Sequence, residues 1–168
     1  ILVILILIFP YIKNKIMYII YPIEYDEYVY KYASEYNVDP LLIFAIIKAE
    51  SNFNSKVVSK SNAIGLMQLM DKTAEDTARK LQIEYNSKED LYNEEKNIML
   101  GTKYFSTLYE KYQNTTIALT AYNAGSGNVD KWIETGVLEK DGSNPENIPF
   151  KETNNYVRKI LRDYKIYK

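Results

Sequence analysis

Glu50 closes the apolar run Ile43-Phe44-Ala45-Ile46-Ile47 and is followed at once by the small polar residues Ser51 and Asn52. A carboxyl group one turn beyond such a run sits at the rim of a core, partly out of water. Desolvation penalises its ionised form and raises its pKa. The C-terminal end of its own helix adds partial negative charge and pushes the same way. A carboxylic acid that keeps its proton near neutral pH can hand it to a leaving oxygen. On position alone, a solvated glutamate finishing a helix is the commoner reading.

Composition narrows the chemistry further. The 168 residues include no His and no Cys. Zinc sites built on imidazole or thiolate are thereby excluded within the chain, as are Ser-His-Asp and Cys-His nucleophiles. Proton transfer must use Asp, Glu, Lys or Tyr, and no metal or cofactor is expected. With 21 basic and 22 acidic residues the formal net charge is −1, which argues against nucleic acid as the main partner. The 17 tyrosines combine a ring face with a polar tip, suited to carbohydrate contacts and equally to filling a core.

The elements that must position Glu50 follow from periodicity. Tyr25, Tyr28, Val29, Tyr32, Ala33 and Tyr36 recur at three and four, the mark of one helical face. Asp39 and Pro40 form an N-cap and first helical position. The helix from Leu41 to about Ser51 is apolar on nearly every side and belongs at the centre of a domain. Asp71 is placed to cap a helix starting at Lys72. A stripe within Asn93 to Tyr112 marks a long helix. Asn114 caps the next, which Gly125 stops. Asn128 to Thr135 is a short helix with the single Trp132, and Thr153 to Tyr164 is the last. No convincing strand and no repeat emerges, so the fold class is all-α.

The first residues, Ile1 to Ile12, are continuously apolar except for Pro10 and the Tyr11 hydroxyl. Such a run covers roughly 18 Å as a helix, short of the ~30 Å hydrocarbon core. It is uniform rather than periodic and lacks a small-residue cleavage site. We expect an uncleaved signal-anchor over residues 1–21 and a catalytic domain over residues 22–168. Lys13 and Lys15 follow the run, and by the positive-inside rule they pull that end inward unless upstream charges override them.

Three segments together carry a resemblance: "AESNFNSKVVSKSNAIGLMQLM", "AYNAG" and "IPFKETNNYV". In this order they resemble the catalytic domain of the soluble lytic transglycosylase (SLT) family, related in fold to goose-type lysozyme. The likeness runs from about Tyr25 to Tyr164. It implies a lysozyme-like helical domain whose groove binds peptidoglycan glycan strands. Glu50 falls on the family's catalytic acid and Ser51 beside it. Ser59, Gln68 and Met70 fall on groove positions, Tyr122 and Asn123 on the pair facing the acid, and Glu152 and Tyr156 on the pair closing the site. Ser55, Asn62 and Asp71 depart from the family pattern at loop or cap positions, where Asn62 can still tolerate a left-handed backbone.

Each of these residues also has a plainer reading. Gly65 marks a close backbone approach. Gln68 offers a donor and an acceptor for sugar groups, or is simply solvated in a packed turn. Met67 and Met70 are more often core filler. Tyr122 either bonds the Glu50 carboxyl or a substrate, or packs in the core. Glu152 is favoured near a helix start by the dipole alone.

No second catalytic carboxylate of the usual two-carboxylate pattern is evident. The resemblance implies cleavage of the MurNAc–GlcNAc β-1,4 bond to a 1,6-anhydromuramyl product, with Glu50 as acid and then base. A hydrolytic muramidase of the same fold, a non-catalytic peptidoglycan-binding module and a plain helical scaffold are the alternatives. The expected partners are glycan strands and, through the N-terminal segment, the membrane. A monomer in the cell envelope is expected, with the catalytic domain outside the cytoplasmic membrane, or secreted if the segment is cut.

Overall fold

The structure, a computed structural model, describes residues 15–168. Most of the proposed anchor, residues 1–14, lies outside them. Among the described residues no helix is long and apolar enough to cross a membrane.

Residues 15–20 are helical. Seven helices follow: α1 (Asp26–Glu35), α2 (Pro40–Glu50), α3 (Asp71–Leu81), α4 (Glu94–Tyr112), α5 (Thr115–Ala124), α6 (Ser126–Glu134) and α7 (Lys151–Tyr167), with 3-10 turns at Lys88–Tyr92 and Pro145–Asn147. No strand forms among the described residues; two isolated bridges, Val58 with Ile64 and Ile64 with Leu69, shape the loop between α2 and α3.

Helix α2 is central, as its sequence requires. Leu42 to Ile47 are six consecutive residues with at most 4% exposure, so every side of the helix is covered. The Asp39 side chain accepts from the Leu41 N–H at 2.9 Å, and Pro40 occupies the first turn. Helix α7 packs against α2 more extensively than any other pair of helices meets. Its buried face carries Val157 and Ile160.

Helix α4 is capped by Asn93, which accepts from Lys96 N–H at 2.8 Å. Asn114 caps α5 in the same way at 3.0 Å. Gly125, at φ 85°, ends α5 and starts α6 immediately, so α6 begins two residues earlier than its pattern suggested. The cap expected of Asp71 is not made: Met70 is the capping position and Asp71 the first helical residue. Its carboxylate instead accepts from the Tyr85 hydroxyl at 2.7 Å. A carboxylate within the first turn still gains from the helix dipole.

Candidate active site

The acid emerges where the central helix ends. Burial raises the Glu50 carboxyl from its usual 4.5 to about 7, against the opposing pulls of a Tyr156 hydrogen bond and the Lys159 charge. The Tyr156 hydroxyl donates to Glu50 Oε1 at 2.7 Å. Lys159, one turn further along α7, donates to the Ala49 carbonyl at 3.2 Å. Helix α7 thus brings a neutral donor and a cation to the C-terminal end of α2. The hydroxyls of Tyr156 and Tyr122 are pushed well above the usual phenol range, first by burial and then by the Glu50 charge. Both stay protonated and cannot take the Glu50 proton; Tyr156 alone of the two bonds the carboxyl.

The segment after Glu50 is held under backbone strain. Asn52, Phe53, Asn62 and Gln68 all have positive φ, and Phe53 is bulky and nearly buried. Such residues persist only where surrounding contacts over-determine them, and they gather at functional sites. Here the contacts converge on the turn Ile64–Met67. Ser51 Oγ donates to the Leu66 carbonyl at 2.9 Å. The Tyr122 hydroxyl donates to the Met67 carbonyl at 2.8 Å.

Asn97, fully buried in α4, supplies the rest. It accepts from the Met67 N–H at 2.8 Å and donates to the carbonyls of Ile64 and Leu91, each at 2.9 Å. All three bonds agree on one orientation of its amide. Gly65, at φ 81°, lies so close that a Cβ there would stand 2.6 Å from the Leu91 carbonyl oxygen. One turn beyond Asn97, Gly101 leaves room for Met67. Three helices therefore clamp one turn from three sides.

Directly after that turn, Gln68 and Met70 line a cleft of about 220 Å³ together with Tyr104, Tyr122 and Asn123. Glu50 does not line this cleft itself; Tyr122 stands in it and next to the acid. The Gln68 amide nitrogen is spent on the Val57 and Gly65 carbonyls at 3.1 and 2.9 Å, which leaves its oxygen for a ligand. Met70 is 44% exposed at the rim. Asn123 Oδ1 accepts from the Thr153 hydroxyl at 2.7 Å, which ties α5 to the first turn of α7.

Of the residues singled out in the sequence, Glu50 and Tyr156 meet directly, and Gln68, Met70, Tyr122 and Asn123 share the cleft. The bond to Glu50 considered for Tyr122 is made by Tyr156 instead; the Tyr122 hydroxyl donates to the Met67 carbonyl. Ser59 accepts from the N–H groups of Ser61 and Ala63 and shapes its loop without reaching the cleft. Glu152 stands exposed in the first turn of α7 and makes no side-chain hydrogen bond or ion pair among the described residues.

The departures from the family pattern are accommodated. Asn62 takes the left-handed backbone at φ 64°. Ser55 is buried and donates to Glu94 at 2.8 Å. Asn97 and Lys159 escaped sequence reasoning. The one available signal for Asn97 was its spacing, four before Gly101, inside an otherwise apolar stripe.

Fold and site together define the lysozyme-like class: an all-helical domain with one sheltered carboxyl at the end of its central helix, beside a cleft. Within that class the chain belongs to the transglycosylase SLT domain family, whose family model matches residues 27–141. Tyr156 and Lys159 lie past the matched stretch. The soluble lytic murein transglycosylase of Escherichia coli K12 is 36% identical over 144 residues, covering 84% of this chain and 22% of that protein. The membrane-bound lytic murein transglycosylase C of Edwardsiella ictaluri is 40% identical over 116 residues, covering 63% of this chain and 32% of that protein.

Among solved structures, an inactive mutant of the lytic transglycosylase Slt from Pseudomonas aeruginosa matches with a TM-score of 0.83 at 35% identity. That match covers 90% of this chain and 25% of the other. The chain spans about a quarter of the length of the first curated relatives it matches.

Proposed function

We propose that residues 22–168 form a lytic transglycosylase domain that cleaves the MurNAc–GlcNAc β-1,4 bond of peptidoglycan and leaves a 1,6-anhydromuramyl end. The observation that carries the reading is Glu50 itself: a carboxyl raised to about 7 by burial and held by Tyr156. Glu50 protonates the glycosidic oxygen as the C1–O bond breaks. The muramyl 2-acetamido group stabilises the cation developing at C1. The C6 hydroxyl oxygen then bonds to C1, and its proton goes to Glu50. The acid is restored and no water enters the balance.

In this scheme Tyr156 orients the carboxyl and steadies its ionised form. Tyr122 and Ser51 hold the turn that leads into the cleft-lining segment Gln68–Met70, while Gln68, Met70 and Asn123 face the glycan. Ser59 and Glu152 are assigned to the outer binding surface. The relatives' names, both soluble and membrane-bound, support an envelope location, and the apolar Ile1–Ile12 run supports attachment to the membrane with the domain outside.

The test is mass spectrometry of sacculi digested by the chain, with Glu50→Gln beside it. Anhydromuramyl ends from the native chain, and sacculus binding without cleavage by the variant, are expected. Reducing muramyl ends would make the domain a hydrolase. Cleavage retained in the variant would remove Glu50 from its role.

A further inference from the structure

We propose that Tyr104 of α4 reads the glycan: its hydroxyl donates to the acetamido carbonyl of the GlcNAc unit next to the reacting muramyl sugar. The Gln68 amide oxygen accepts the N–H of the same acetamide. This rests on the glycan reading proposed above and deepens it.

Tyr104 lines the 220 Å³ cleft together with Gln68, Met70, Thr73, Tyr122 and Asn123. Its ring is fixed by packing. It lies against both hydrophobic clusters of the domain and meets the Tyr122 ring at 5.3 Å. Its hydroxyl makes no hydrogen bond among the described residues, and burial alone pushes the phenol up. Asp163 Oδ2 is the one fully buried side-chain polar atom without a partner among these residues, so the Tyr104 hydroxyl reaches solvent. The cleft is the open space that Tyr104 lines.

Most other polar groups of the lining already have partners. The Tyr122 hydroxyl donates to the Met67 carbonyl, Asn123 Oδ1 accepts from Thr153, and the Gln68 amide nitrogen serves two carbonyls. The side-chain groups left for a ligand are the Tyr104 and Thr73 hydroxyls, the Asn123 amide nitrogen and the Gln68 oxygen.

That set selects a ligand chemistry. No charged side chain lines the cleft among the described residues, and Met70 and Ala124 add apolar surface. Neutral donors, a pure acceptor and an apolar wall match the carbonyl, N–H and methyl of an acetamide. They do not match the carboxylates and ammonium groups of a stem peptide, because a sheltered charge needs a paired charge. The muramyl acetamide has to stay at C1, beside Glu50, and Glu50 does not line the cleft. Tyr122 links the two places, since the Glu50 charge acts on its hydroxyl. The unit in the cleft is therefore the neighbouring GlcNAc.

The test reads binding by calorimetry on the full chain carrying Glu50→Gln, with and without Tyr104→Phe, so that cleavage does not intervene. The ligands are soluble MurNAc–GlcNAc strands whose GlcNAc units are either intact or de-N-acetylated to glucosamine, the muramyl units staying acetylated. Phe keeps the ring and removes only the hydroxyl. Tyr104→Phe should weaken binding of intact strands about three- to tenfold, the contribution of one neutral hydrogen bond, and change binding of de-N-acetylated strands less than about twofold. The melting temperature should stay within about 1 °C, since no protein partner is lost.

An equal loss on both strands, no loss on intact strands, or no binding to either would overturn the proposal. So would a melting temperature lowered by about 4 °C or more, which would give the hydroxyl a structural role. The expected pattern beside a native chain that leaves sacculi uncut would support this subsite and refute the proposed cleavage instead.

Discussion

Replacing Glu50 by Gln should make the protein more stable, and only above mildly acidic pH. The folded carboxyl titrates near 7 against an ordinary value of 4.5. Between these values the folded state keeps a proton that the unfolded state has released. Stability then falls as pH rises across the window and levels off above it. The span corresponds to about 3 kcal/mol at 1.36 kcal/mol per pH unit. Gln has no proton to lose, and its oxygen can still accept from Tyr156.

Native and variant chains should therefore match near pH 4, while the variant gains about 3 kcal/mol at pH 8. In a domain of this size that is about 6 to 12 °C in melting temperature. Melts of both chains at half-unit steps from pH 4 to 9 provide the assay. A gap that does not change with pH, or a variant less stable at pH 8, would show that Glu50 is not sheltered from water, and the proposed acid chemistry would lose its basis.

Tyr156→Phe removes a hydrogen bond that favours the ionised carboxylate, so the Glu50 pKa should rise further. A bond to a charged group contributes about 1.5–3 kcal/mol, which places the alkaline limb of the pH–rate profile about one to two pH units higher. Turnover should fall, because the carboxyl loses its orientation. A limb that stays in place or moves down would remove Tyr156 from the acid's control. Asn97→Ala strips the Met67 N–H and the Ile64 and Leu91 carbonyls of their partner inside the core. At about 1–3 kcal/mol for each stranded group, with partial relaxation, a loss of about 3 kcal/mol in urea unfolding is expected; a loss under about 1 kcal/mol would deny the clamp.

Local patterns carried most of the fold. The consecutive apolar residues of α2, its Asp39–Pro40 start and the Asn114 cap are short-range signals, and the structure realises each one. The position of Glu50 at the rim followed from the same reasoning. Long-range pairings were not legible. Tyr156 and Glu50 are 106 positions apart, and no periodicity reveals which tyrosine reaches the acid. Tyr122 was the natural candidate from its place beside a helix stop, yet its hydroxyl serves the backbone. Asn97 carries no local signal of which groups it bonds, because its three partners, Ile64, Met67 and Leu91, lie outside the helix that bears it. Nothing in the local pattern of the last helix distinguishes Lys159 from its other charged residues.

The opposition among the groups around Glu50 suits a residue that must release a proton and then recover one. Burial alone would raise the carboxyl until it held its proton too tightly to donate. Tyr156 and Lys159 pull the other way, and the balance falls near neutrality, where proton transfer in both directions is most efficient. The same geometry explains why these two partners come from α7. Helix α2 is buried on every side, so a donor and a cation can reach its C-terminal end only from the element packed hardest against it. Removing either partner should bias the cycle toward the protonated state, slowing donation of the proton to the glycosidic oxygen more than its recovery from the C6 hydroxyl.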